Sequence, residues 1–159
     1  MAVGRDMPGN CEVQNQEKGM AECGIQNGAR RGGQISALGA LLVGLAIIAG
    51  AAGDHLVAGQ VSRQSLHVYD IAVRFQIYNA LGLVLLGILI RLWGRRRLLC
   101  ASALLMALGV LFFSGGLYLL VITGQSFWAI FAPLGGTAWI FAWLLLAVGL
   151  WRASMQVKE

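Results

Sequence analysis

The sequence predicts an all-α integral membrane protein, a four-helix bundle with both termini in the cytoplasm. Three observations carry that prediction. The 159 residues are 58% hydrophobic and only 12% charged, with a mean hydropathy of +0.72, which leaves too little polar surface for a soluble domain of this size. Four apolar runs, at residues 35–53, 71–93, 98–122 and 133–151, each reach the roughly 20 residues that cross a bilayer as a helix. If all four span, one side of the membrane holds Arg5, Lys18, Arg30, Arg31, Arg91, Arg95, Arg96, Arg97, Arg152 and Lys158, and the other only Arg63 and Arg74. Basic residues beside membrane helices stay in the cytoplasm, which sets the orientation.

Residues 1–33 precede the first run. They are polar, rich in Gly, Asn, Gln and Glu, and lack apolar periodicity, so a disordered tail is expected. Met7 and Met20 are alternative starts, and nothing here reads as a targeting signal. The transmembrane domain covers 34–152, and 153–159 forms a short cytoplasmic tail. Arg30-Arg31, an apolar stretch and Ala49-Gly50-Ala51 imitate a signal peptide, but the run is longer than a signal core and is read as a retained helix. Ser36, Ala40 and Gly44 recur every four residues, a small-residue face suited to close helix packing.

Residues 54–70 form an outer loop with His55, Arg63 and His67, and 61–68 are expected as a short helix on the outer surface. Helix 2 is followed by a tight hairpin at Gly94 and the Arg95-Arg96-Arg97 cluster, which makes helices 2 and 3 antiparallel neighbours. Helix 3 stops at Thr123-Gly124. Phe127, Trp128 and Phe131 suit an interfacial aromatic belt. Pro133 opens helix 4, where its missing N–H costs nothing.

Composition also excludes function classes. The net charge of +5 sits at cytoplasmic helix ends facing anionic lipid, so no nucleic-acid partner is expected. Cys11, Cys23 and Cys100 lie on the reducing side or within a helix, so no structural disulfide is expected. Cys11 and Cys23 have poor zinc spacing. No cofactor is implied. There is no Gly-x-Ser-x-Gly elbow and no phosphate-cradling loop. No acidic residue lies deep in a helix, which argues against a proton-coupled transporter built on a central carboxylate.

The polar residues within the spans remain. Asp70, Arg74 and Tyr78 share one face of helix 2, with Arg74 about 6 Å below its outer end and in i,i+4 reach of Asp70. Gln76 and Asn79 form a second pair on the opposite face. Ser114 and Tyr118 share a face of helix 3, and Asp54-His55 end helix 1. All fall in the outer third of the bundle. They read either as an outward-facing polar site or as interhelical hydrogen bonds that fix packing, with Arg74 snorkelling to the interface. His55 and His67, with Asp54 or Asp70, are weak metal ligands by spacing, and no metal is assigned.

A family resemblance rests on four segments. Gly50-Ala51-Ala52-Gly53-Asp54-His55-Leu56 resembles the Gly-Ala-x-Gly-Ala-His end of helix 1 in the YgdD-like inner-membrane proteins, domain-of-unknown-function family 423. Ala72-Val73-Arg74-Phe75-Gln76-Ile77-Tyr78-Asn79-Ala80-Leu81 resembles that family's Ala-Val-x-Tyr-Gln-Met-Tyr-His-Ala-Leu stretch. Phe113-Ser114-Gly115-Gly116-Leu117-Tyr118 is similar to its Phe-Ser-Gly-Ser-Leu-Tyr segment, and Pro133-Leu134-Gly135-Gly136 followed by Trp143-Leu144 to its Pro-x-Gly-Gly start of helix 4. The likeness covers 35–151 in order and implies a bacterial inner-membrane protein with no established biochemical role. Asp54 departs from the family's small residue before the histidine, and Asn79 from its helix 2 histidine.

The reading that follows is a non-enzymatic multi-pass component of the bacterial inner (plasma) membrane, an accessory subunit or helix-packing partner. Its partners are the lipid bilayer and either a second copy or another membrane protein. The alternative is a small transporter or ligand-binding protein that uses the outer-third residues.

Overall fold

The computed structural model describes residues 9–93 and 97–155, with side chains from residue 28 onward. The described residues form α1 (Gly9–Ala52), α2 (Arg63–Trp93), α3 (Arg97–Thr123) and α4 (Phe131–Met155). Four spans within them are long and apolar enough to cross a membrane.

α1 departs from expectation at its start. The helix begins at Gly9, so most of the tail expected to be disordered is helical, while residues 1–8 lie outside the described residues. The only prolines are Pro8 and Pro133, and 9–33 contain Glu, Gln, Lys, Met and Ala. A helix already nucleated by its apolar half therefore extends at little cost.

The first connection is shorter than the loop expected over 54–70. α1 ends in a wide π turn, Gly53–Val57, and α2 starts at Arg63. The expected surface helix over 61–68 is instead the opening of α2. The reason is a cap: the Ser65 N–H donates to Ser62 Oγ at 3.1 Å, satisfying one of the free donors of the first turn.

α3 carries a second π turn at Val110–Ser114 and ends at Gly124, where φ is +68° and the N–H reaches the Leu120 carbonyl at 2.9 Å. Glycine occupies that left-handed position without strain. A 3₁₀ turn, Ser126–Ile130, leads into α4, which begins two residues before Pro133. Phe127, Trp128 and Phe131 cluster there with centroids 5.6–5.8 Å apart.

The closest packing is between sequence neighbours, α1 on α2 and α3 on α4, and α2 lies against α3. α2 is the most enclosed span, with half of its apolar window buried, against 11% for α1. Leu83, Leu86, Ile90, Leu99, Met106 and Leu146 form the main core, and Tyr69, Val73 and Val121 a smaller one at the far end.

Small residues set the helix distances. A Cβ on Gly39 would stand 2.7 Å from the Ala80 carbonyl oxygen, and one on Gly32 2.6 Å from that of Gly87. The backbones of α1 and α2 therefore touch, as van der Waals packing in a bilayer favours. This is not the small-residue face expected from Ser36, Ala40 and Gly44. Ser36 does face α2, but Ala40 and Gly44 are exposed, and a Cβ on Gly44 would meet nothing within 4 Å. The four-residue spacing drifts around the helix, whereas Gly32 and Gly39 are seven apart and stay on one side.

Candidate functional site

α2 sorts its polar residues onto two faces. Tyr69, Gln76, Leu83 and Ile90 recur every seven residues and are buried, as are Ala72, Asn79 and Leu86. Arg74 and Tyr78 point outward and are exposed, with Asp70 half-buried beside them. Among the described residues no ion pair within 4.0 Å joins Asp70 to Arg74. The structure therefore does not bring the Asp70, Arg74 and Tyr78 group together with Gln76 and Asn79.

The buried set forms a chain of interhelical hydrogen bonds. Gln76 Nε2 donates to the Leu42 carbonyl of α1 at 2.9 Å, and Gln76 Oε1 accepts from the Tyr118 hydroxyl of α3 at 3.0 Å. One side chain thus joins three helices. Ser114 Oγ donates to the Ala72 carbonyl at 3.0 Å. Asn79 Nδ2 donates to the Phe75 carbonyl at 2.9 Å, one turn back on its own helix, while its Oδ1 accepts from the Trp143 indole at 3.1 Å. Gln76, Asn79 and Ser114 are each no more than 6% exposed, so an unpaired atom there would be costly. Each has partners.

Tyr69, Ser102 and Trp139, which the sequence reading passed over, and Ser36, which it took only as a small residue, do the same work. Tyr69 donates to the Ala49 carbonyl at 3.0 Å, and its ring lies 5.1 Å from that of Tyr118. A Cβ on Gly53 would approach within 2.9 Å of the Tyr69 ring, so the glycine before Asp54 lets the tyrosine lie against α1. Ser36 donates to the Val84 carbonyl at 3.0 Å, Ser102 to Ala142 at 2.7 Å, and the Trp139 indole to Met106 at 3.2 Å. Phe75 stacks on Trp139 with centroids 5.7 Å apart and planes 9° from parallel. The seven-residue repeat from Tyr69 to Ile90 was the signal that would have found this face.

Asp54 and His55 lie exposed on the π turn that ends α1, and His67 is exposed near the start of α2. Among the described residues no three His, Cys, Asp or Glu side chains gather closely enough to hold a metal ion. Three grooves among the described residues are lined by other side chains. Chemically, the arrangement holds helices in register.

These features define a multi-pass four-helix membrane protein whose buried polar groups are interhelical fasteners. The chain belongs to the family described as protein of unknown function DUF423, whose model matches residues 49–136. It is similar to the membrane protein YwdK of Bacillus subtilis, 37% identical over 70% of this chain and 90% of the relative. It is 33% identical to membrane protein SH2409 of Staphylococcus haemolyticus, over 72% of this chain and 93% of the relative. The inner membrane protein YgdD of Escherichia coli K12 is 28% identical over 67% of this chain and 81% of its own length. No solved structure matches. The chain is a protein of the bacterial plasma membrane, as its relatives and its four apolar helices indicate.

Proposed function

We propose that this chain is a non-enzymatic membrane component that works by binding another membrane helix through the outward side of α1, with its arginine-bearing end in the cytoplasm. The observation that carries this is the contrast between the two sides of α1. One side is closed by backbone contact with α2, at Gly32 and Gly39. The other leaves Ala37, Ala40, Gly44 and Ala51 exposed between the large apolar side chains of Leu41, Ile47 and Ile48, an unpartnered apolar surface for a further helix. The hydrogen bonding of Gln76, Asn79 and Ser114 supports the same reading, because their polar atoms are engaged with helices. Arginines 30, 31, 91, 97 and 152 share one end of the bundle, which the positive-inside rule places in the cytoplasm.

The test is crosslinking in native membranes from a single cysteine at Ala40, followed by purification at native abundance in mild detergent and intact-complex mass. A stoichiometric partner or a second copy, lost on Gly44→Leu, supports the reading. A chain that stays solitary from that position refutes it.

A further inference from the structure

We propose that the groove between α1 and α3 at the arginine-bearing end holds one anionic phospholipid, its acyl chain in the groove and its headgroup on Arg31. This is independent of helix docking, because the groove lies on a different side of α1 from Ala40 and Gly44.

The groove has a volume of about 420 Å³. It exists because α1 packs on α2 through its glycine seam while α3 packs on α4, which leaves α1 and α3 apart. Its walls are apolar: Ile35 and Leu38 from α1, Leu83 from α2, and Ala103, Leu104 and Ala107 from α3. Its polar lining includes Arg31 and Gln34, both on the stretch of α1 toward the arginine-bearing end. Gly32, beside Arg31, lies against the Arg91 backbone, so this mouth is level with the end of α2.

The dimensions select the occupant. From Arg31 to Leu38 the helix rises about 10 Å. The α1 residues that line the groove end at Leu38, and Leu42, one turn further, packs against the core. A length of about 10 Å fits within one leaflet of a roughly 30 Å hydrocarbon core. A packed transmembrane helix would need a seam through both leaflets, whereas a lipid tail needs one. The cationic mouth matches a phosphate headgroup, and basic pockets between helices on the cytoplasmic side are the recurrent form of anionic-lipid sites. Among the described lining residues Arg31 carries the formal charge, and Arg30, also exposed, does not line the groove.

The experiment uses the full chain, delipidated in mild detergent and titrated with phosphatidylglycerol or phosphatidylcholine of identical acyl chains, with retained lipid counted by native mass spectrometry. The expected result is one retained phosphatidylglycerol per chain, held at least fivefold more tightly than phosphatidylcholine. Arg31→Gln should lower that retention about fivefold, the effect of one basic residue on an anionic lipid, while Arg30→Gln leaves it within twofold. Leu38→Trp, a substitution at a half-exposed groove residue, should fill the groove and abolish retention of either lipid. Arg31, Arg30 and Leu38 are all exposed, so these substitutions remove no buried contact. Equal effects of Arg30→Gln and Arg31→Gln would mean diffuse surface charge and overturn the proposal. So would equal retention of the two lipids, or unchanged retention in Leu38→Trp. Crosslinking of groove residues between two copies in every lipid composition would assign the groove to a second copy and overturn it as well.

Discussion

Adding one methyl group at Gly39 should part α1 from α2. The new Cβ would lie 2.7 Å from both the Ala80 carbonyl oxygen and the Val84 amide nitrogen, where ordinary contact begins at 3.4 Å. The difference of about 0.7 Å must come from helix separation, because both obstacles are backbone and no rotamer can yield. Overpacking of this kind costs about 1–3 kcal/mol. The Ser36 bond to the Val84 carbonyl, 3.0 Å long and on the same seam, would lengthen beyond hydrogen-bonding range. Interhelical bonds in membranes average about 0.6 kcal/mol, and the better helix propensity of alanine returns about 0.5–1 kcal/mol, which gives a net loss of about 2 kcal/mol for Gly39→Ala. Gly44→Ala makes the same chemical change on the same helix where no atom lies within 4 Å, so it should lose nothing and gain up to about 1 kcal/mol from helix propensity. Reversible unfolding by sodium dodecyl sulfate in mixed micelles, followed by tryptophan fluorescence, measures both. Equal losses from the two alanines, or no loss from Gly39→Ala, would refute the backbone-contact seam.

Other expectations use the same titration. Gln76→Leu strands the Tyr118 hydroxyl and removes the second bond to the Leu42 carbonyl and should cost about 1–2 kcal/mol; a double-mutant cycle with Tyr118→Phe should return a coupling of about 0.6 kcal/mol, and additive effects would deny the contact. Arg74→Ala should leave stability within about 0.5 kcal/mol, since the side chain is exposed; a loss above about 1 kcal/mol would mean that Arg74 has a structural partner. Gly109→Ala drives a methyl into the Trp139 indole and should cost about 1–3 kcal/mol; an unchanged midpoint would remove the case for close α3–α4 packing.

The four spans were legible because bilayer thickness imposes length and apolarity on each segment separately. Hydropathy puts the start of α2 at residue 71, because it marks where a helix enters lipid and is silent on the polar overhang, which the Ser62 cap begins. Gln76, Asn79, Ser114 and Tyr118 stood out as polar groups in apolar runs, and all take part in interhelical bonds. Arg74 and Asp70 drew equal notice through their charge, yet lie away from that network. Charge is conspicuous in a sequence, but the side a residue faces follows from the repeat it belongs to. The repeat through Tyr69, Gln76 and Leu83 was present throughout. The glycine seam was harder to read, because Gly32 and Gly39 look no different from Gly33 and Gly44 until the partner helix is in place.

The π turn at Val110–Ser114 bears on how this family can diverge. A wide turn accommodates one residue more than an α-helical turn. Deleting one residue there would restore α geometry with the far half of α3 still in phase, whereas a turn tightened to α geometry at constant length would rotate that half by about 100°. Ser114 would then leave the Ala72 carbonyl and Tyr118 would leave Gln76 in one step. The stretch between Gly109 and Gly115 can therefore lose one residue and keep its α2–α3 interface, and a one-residue gap there in an alignment would mark a relative with a regular α3 rather than a rebuilt interface.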